Sequence, residues 1–181
     1  MAQPTGAPTT LPAWLQESAR ALHVALEMAV RDLTPEQLHH LPGGTANHAA
    51  FLLWHHVRTE DNIVRFVLQR RPTVWMEGGW DQRFGLDAKA QGTGWSHEQA
   101  VGLRLPSAEA FLEYARPVWR ETEAFLGAVP EGELTRVVLV RPLGELPLAR
   151  LLGTTIVTHG YSHLGELWLL RGLLGLRGTG T

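Results

Sequence analysis

The chain has 181 residues, 44% hydrophobic and 19% charged, with a formal net charge of -2. That length suits one domain with a sizeable core, and the slight acidity has the wrong sign for a non-specific binder of nucleic acid or anionic membrane. Cysteine is absent, which excludes disulfides, thiolate ligands and a cysteine nucleophile and leaves His, Asp and Glu as the only metal ligands available.

Residues 1–11, rich in Pro, Thr and Ala, read as a flexible leader to a single domain over 12–178. They carry no basic n-region and no apolar h-region, and no run of about 20 uncharged apolar residues follows, so the expected location is the cytoplasm. A first helix is predicted from Pro12 to about Asp32, on the helical spacing of Trp14, Leu15, Ala19, Leu22, Leu26, Ala29 and Val30. Thr34-Pro35-Glu36-Gln37 has the form of a capping box that opens a short helical turn. A second long helix should begin near Thr45 or Asn47, either of which can cap it, and end near Arg70, before Pro72. Residues 71–106 hold Trp75, Trp80 and Trp95 among many glycines, without periodicity. They read as a long crossover packed by its aromatics, with a short helix near Ser96–Val101. Ser107 caps a third helix, Ala108 to Ala128. Arg136 to Val140 and Glu145 to Pro147 form a candidate hairpin, and a fourth helix runs from about Leu148 to Leu174, stopped by Gly175. The predicted fold is all-α: four long helices, one long crossover between the second and third, and a small β-hairpin before the fourth.

The fourth helix carries the chemistry. At about 100° per residue, Leu152, Ile156, His159, His163, Leu167, Leu170 and Leu174 share one stripe, so two histidines point where the leucines point. An unsatisfied polar group in a core costs about 1–3 kcal/mol. Two of them one turn apart call for a common partner, and a divalent cation is one. Of the nine histidines, His39 and His40 fall in a turn and His97 in the crossover; His23, in the first helix, is the weaker candidate. His55 and His56 lie mid-helix in an apolar setting, and one of them is expected to complete the set. If Arg58, Asp61 and Arg65 mark the solvent face of that helix, His56 turns inward with Leu52, Ile63 and Val67. Three protein ligands with a further position open is the pattern of catalytic zinc; nickel, cobalt and iron accept imidazoles too. Glu60 and Glu166 are candidate acceptors for the outer ring nitrogens of the ligands. His159-x3-His163 lacks the glutamate of the His-Glu-x-x-His zinc motif, and Gly92-Thr93-Gly94 lacks the context of a nucleotide loop.

Three stretches together resemble the DinB-like superfamily (DinB/YfiT-like metalloenzymes). They are Leu53-Trp54-His55-x-x-Arg58-Thr59-Glu60-Asp61, Gly79-Trp80-x-x-Arg83-Phe84-Gly85, and His159-x3-His163-Leu164-Gly165-Glu166 with Leu170-Arg171-Gly172-Leu173. The resemblance spans about residues 13–178. It implies an up-down-down-up four-helix bundle, usually a homodimer, with zinc or nickel on three histidines. The Trp54-His55 match implies His55, with His159 and His163, as the ligands; His56 is the alternative. Characterised relatives are S-transferases and isomerases that use mycothiol, bacillithiol or glutathione. By that resemblance this chain acts on a small molecule with a low-molecular-weight thiol as co-substrate, and Arg58 or Arg83 anchors the thiol's carboxylates. The alternatives are metal-dependent hydrolysis by the same open site and a binding module without turnover. The family's damage-inducible name does not imply DNA binding.

Overall fold

The computed structural model describes residues 10–141 and 143–178; of the leader expected over residues 1–11, residues 1–9 lie outside them, while Thr10 and Leu11 cap and open the first helix instead. Helix α1 (Leu11–Val30) starts where the Thr10 hydroxyl accepts from the Ala13 N–H, with Pro12 in the first turn. It buries Leu15, Ala19, Leu22, His23, Leu26, Ala29 and Val30. Helix α2 (Pro35–Leu38) carries the expected capping box between Thr34 and Gln37. Helix α3 (Ala49–Asp61) is capped by neither Thr45 nor Asn47. The Phe51 N–H donates to His48 Nδ1 at 3.0 Å, so an imidazole does the work of the usual hydroxyl or carboxylate. Its other nitrogen faces the Val101 carbonyl at 3.3 Å. Burial, then the neighbouring His39, pushes the His48 pKa down to about 4, which keeps Nδ1 free to accept.

Helix α3 passes without a break into a π-helical segment, Asn62–Leu68. The crossover then forms α4 (Val74–Glu77), α5 (Trp80–Phe84) and α6 (His97–Gly102), the last opened by a capping box from Ser96 and Gln99. Asp61 fastens it: its carboxylate accepts from the Val74 and Trp75 N–H groups at 2.8 and 3.0 Å and from the Tyr114 hydroxyl at 2.8 Å. Trp75 is fully buried against Tyr114 and Phe84. Helix α7 (Ala108–Ala128) begins at its Ser107 cap and contains Pro117. A 3-10 turn, Glu131–Thr135, leads to β1 (Val137–Val140) and β2 (Gly144–Pro147), an antiparallel pair in the register Val137 to Pro147 and Val140 to Gly144. Helix α8 (Leu148–Leu152), a π-helical segment Gly153–Thr158 and α9 (His159–Leu173) follow as one continuous helix. Gly175, at φ 72°, turns the chain so that the Leu176 N–H closes on the Arg171 carbonyl. The described residues are mostly helical, with one small two-stranded sheet.

Helices α1 and α3 each pack on α7 and α9. Two apolar clusters result. The larger gathers Leu22, Leu26, Leu53, Trp54, Phe111, Tyr114 and Leu167. The smaller gathers Leu15, Ala19, Ile63, Leu126, Leu152 and Ile156 with Val138 and Val140 of the hairpin. Polar side chains interrupt these apolar runs along each long segment: His23; His55, His56 and Glu60; Thr122 and Glu123; His159 and His163. Among the described residues no helix is long and apolar enough to cross a membrane.

Candidate metal centre

His55 on α3 and His159 and His163 on α9 come together: one ring nitrogen from each lies within 4.8 Å of the other two. All three rings are partly buried. The outer nitrogens decide what the inner ones can do. His55 Nδ1 faces the Gln91 carbonyl at 2.5 Å, His159 Nδ1 the Thr155 carbonyl at 3.3 Å, and His163 Nδ1 the Glu166 carboxylate at 2.6 Å. These partners only accept, so each Nδ1 carries the hydrogen and each Nε2 keeps its lone pair. His159 Nε2 and His163 Nε2 then stand 2.9 Å apart with lone pairs facing, an arrangement that a shared cation would satisfy. A proton is a poor candidate. Burial first, then the His56, His163 and His55 rings, holds the His159 pKa down to about 3; burial likewise lowers His55. Imidazoles whose outer nitrogens are held by carbonyl and carboxylate acceptors are a donor set that suits a divalent transition-metal ion.

The backbone over His55 is that of the crossover. Gly92, at φ 82°, presses so close that a Cβ there would lie 3.0 Å from His55 Nδ1 and from the Phe51 ring. Gly92 is therefore part of the wall of the site, and Gln91 and Thr93 line the cavity beside His55.

His56 is placed differently. It is fully buried and sits behind the cluster, its ring centre 5.4 Å from that of His159. Its Nε2 lies 3.1 Å from Glu60 Oε1, off the line of a hydrogen bond, and its Nδ1 has no partner among the described residues. The premise that set His56 inward and His55 outward fails: Arg58, Asp61 and Arg65 do not mark a solvent face but are all buried. A helix covered on nearly every side gives periodicity nothing to measure. Gly160 leaves the space His56 occupies, since a Cβ there would fall 2.7 Å from the His56 ring.

Glu60 belongs to a separate network. It is fully buried, receives His23 Nε2 at 3.1 Å and Thr122 Oγ1 at 3.3 Å, and touches none of the three clustered histidines. His23 in turn meets Glu123 through Nδ1 at 2.8 Å. Burial pushes Glu60 up, but the charge and hydrogen bond of His23, with His56 beside it, outweigh that and bring it down to about 2. Burial pushes His23 down, and Glu60 and Glu123 more than reverse it, to about 9. His23 is thus an imidazolium ion paired across α1, α3 and α7. Of the two carboxylates considered as acceptors, Glu166 meets a clustered histidine and Glu60 does not.

Neither arginine expected to anchor a thiol reaches the cluster. Arg58 is buried under the crossover, where it donates to the Ala88 and Ala90 carbonyls, Asp61 and Tyr114 and covers the Trp75 ring. Arg83 is exposed and stacks on Trp80 at 4.4 Å. The cations that do line the cavity next to His55 and His159 are Arg141, after β1, and Arg150, on α8. Periodicity hides Arg150. On an uninterrupted α-helix it falls opposite His159, and the wider turns of Gly153–Thr158 bring both onto one side. The cavity holds about 480 Å³, within the range of small-molecule sites.

Fold and site together define a mostly helical protein with three histidines converging beside an open cavity. The sequence profile of the DinB superfamily matches residues 18–167, and the chain belongs to that superfamily. Among solved structures, a conserved protein from Enterococcus faecalis is 17% identical and aligns over 93% of this chain and 99% of its own, with a TM-score of 0.78. At that identity the likeness bears on the fold alone. No curated protein matches the chain.

Proposed function

We propose that this protein is a divalent-metal-dependent enzyme, with zinc or nickel held by His55, His159 and His163, that transfers a low-molecular-weight thiol to a small electrophile. The observation that carries the reading is the convergence of three Nε2 lone pairs whose outer nitrogens are each committed to an acceptor. When bound, the ion supplies Lewis acidity that lowers the pKa of a thiol or water in contact with it. The chain's own contribution is orientation. The Gln91 carbonyl, the Thr155 carbonyl and Glu166 hold the rings in place, and the crossover covers the His55 side against water. The cavity between the π-helical segments and the hairpin accommodates the reactants. We read the four long segments as the up-down-down-up bundle that the sequence resemblance implies, and the working unit as a cytoplasmic homodimer. Sedimentation should then give about twice the 20.0 kDa of the chain.

The test is a pair of measurements on protein purified without chelator. Elemental analysis should find about one divalent ion per chain. Turnover of a halogenated aromatic electrophile should require added thiol. Turnover of an ester without thiol would reassign the cavity to hydrolysis. Absence of any metal, even after reconstitution, would end the enzymatic reading.

A further inference from the structure

The cavity beside His55 and His159 is cationic in a protein that is net acidic. The chain has 18 acidic and 16 basic residues, yet no Asp or Glu lines this cavity, while Arg141 and Arg150 do. Among the described residues neither arginine has a carboxylate partner within 4.0 Å, as is also true of Arg31, Arg70, Arg83, Arg104, Arg120 and Arg177; what sets these two apart is that both line one cavity that no acidic residue lines. Both are exposed, and guanidiniums lining one cavity can hold an oxyanion, because their planar N–H forks match carboxylate and phosphate geometry. The remaining wall is partly apolar. Ile63 from the π-helical segment after α3 faces Val140, Leu143 and Leu146 of the hairpin region across the same space.

We infer that this cavity binds an amphipathic organic anion, its oxyanion head on Arg141 and Arg150 and its apolar body against Ile63 and the hairpin leucines. The inference rests on the reading of the cavity as the reaction site and adds the class of molecule that enters it. The thiol or electrophile carries a carboxylate or phosphate at one end, and its apolar stem leads toward His55 and His159. The hairpin, joined directly to the helix that bears two of the histidines, is the element that selects it.

The test uses the intact protein and a matched set of probes: octanoate, octyl phosphate, octanol and octylamine, titrated by calorimetry. Each anion should bind about tenfold more tightly than octanol, and octylamine least of all. Arg141→Gln and Arg150→Gln should each weaken the anions about threefold, and the double variant about tenfold, with octanol unchanged. The anion with the larger loss in the double variant identifies the head group. Equal binding of octanoate and octanol, no binding of either anion, or anion binding unchanged in the double variant would each overturn the inference. So would an anion preference that survives the arginine changes but vanishes in His159→Ala, since the head would then sit on the metal. Elemental analysis of the same samples keeps this separate from the functional reading. Metal without anion preference defeats the inference alone, and anion preference without metal defeats the enzymatic reading alone.

Discussion

His159 Nε2 and His163 Nε2 face each other at 2.9 Å while both Nδ1 atoms are occupied by acceptors. Two lone pairs at that distance repel, so the helix turn that carries them is set for a cation before one arrives. His159→Ala, His163→Ala and His55→Ala should each reduce bound metal from about one ion per chain to a small fraction. His56→Ala should leave it near one. Mass-spectrometric metal analysis of the four variants distinguishes the sets, and loss of metal in His56→Ala with retention in His55→Ala would reverse the assignment.

Removing the metal should also lower thermal stability, because an ion that binds only the folded chain stabilises it by mass action. A chelator should depress the melting temperature of the parent protein and leave that of His159→Ala unmoved. Identical shifts in both would mean the chelator acts elsewhere.

Glu166 holds His163 at 2.6 Å from an exposed position. Changing an acceptor behind a ligand histidine costs about 10–100-fold in metal affinity, and solvent exposure of the carboxylate puts Glu166→Gln at the lower end, about tenfold. Competition with a chromogenic chelator reads this directly. An unchanged affinity would make Glu166 a bystander.

Gly160→Ala decides between two effects of opposite sign. Alanine inside a helix normally gains about 1 kcal/mol over glycine. Here its Cβ would lie 2.3 Å from Leu22 Cδ2 and 2.7 Å from the His56 ring, both side chains buried. Overpacking of that kind costs about 1–3 kcal/mol, so the variant should be less stable by urea titration. A gain in stability would show that the gap is softer than it looks.

The His23–Glu60 pair gives stability a pH dependence on both sides. His23 rises from 6.5 to about 9 on folding, so its stabilisation is complete below about 6.5 and is lost as pH rises through 9. Glu60 falls from 4.5 to about 2, so its stabilisation is complete above about 4.5 and is lost as pH falls through 2. The contribution of this pair is therefore complete between about pH 4.5 and 6.5, and His23→Gln should flatten the part of the alkaline decline in metal-free protein that it causes. Glu60→Ala, which leaves the buried His23 imidazolium with Glu123 as its remaining carboxylate partner, should cost about 3 kcal/mol at pH 6, the lower end for a broken buried pair. A cost under about 1 kcal/mol would show that Glu60 is not its counter-charge.

Long periodic helices and hydroxyl caps were readable in the sequence: Ser107 opens α7, the Thr34–Gln37 box opens α2, and the hairpin pairs as expected. What escaped has definite physical causes. His48 caps α3 through a ring nitrogen kept neutral by burial, and imidazole is not a usual cap. Arg58, Asp61 and Arg65 look like a wet face because ion pairs and carbonyl acceptors from the crossover satisfy them, and those partners are distant in sequence or lie in an irregular segment. The His159–His163 pair stood out as polar residues on an apolar stripe. The third ligand was narrowed to His55 or His56 by their mid-helix apolar setting, and the family resemblance chose His55, because most positions around both are buried and periodicity has little to measure there. Arg150 was hidden from any pattern based on ordinary helical pitch, and Arg141, just after β1, reaches the cavity only through the packing of the hairpin.

The π-helical segment Gly153–Thr158 works as a phase adjuster between two gears. Upstream, Leu148, Leu151 and Leu152 mesh with the smaller cluster; downstream, Leu164, Leu167 and Leu170 mesh with the larger. Each half keeps its own rotational setting, and the segment absorbs the difference. Deleting a single residue there would turn α9 by about 100° relative to α8. Either the histidines or the leucines would then lose their engagement, so insertions and deletions should be far less tolerated in these six residues than substitutions.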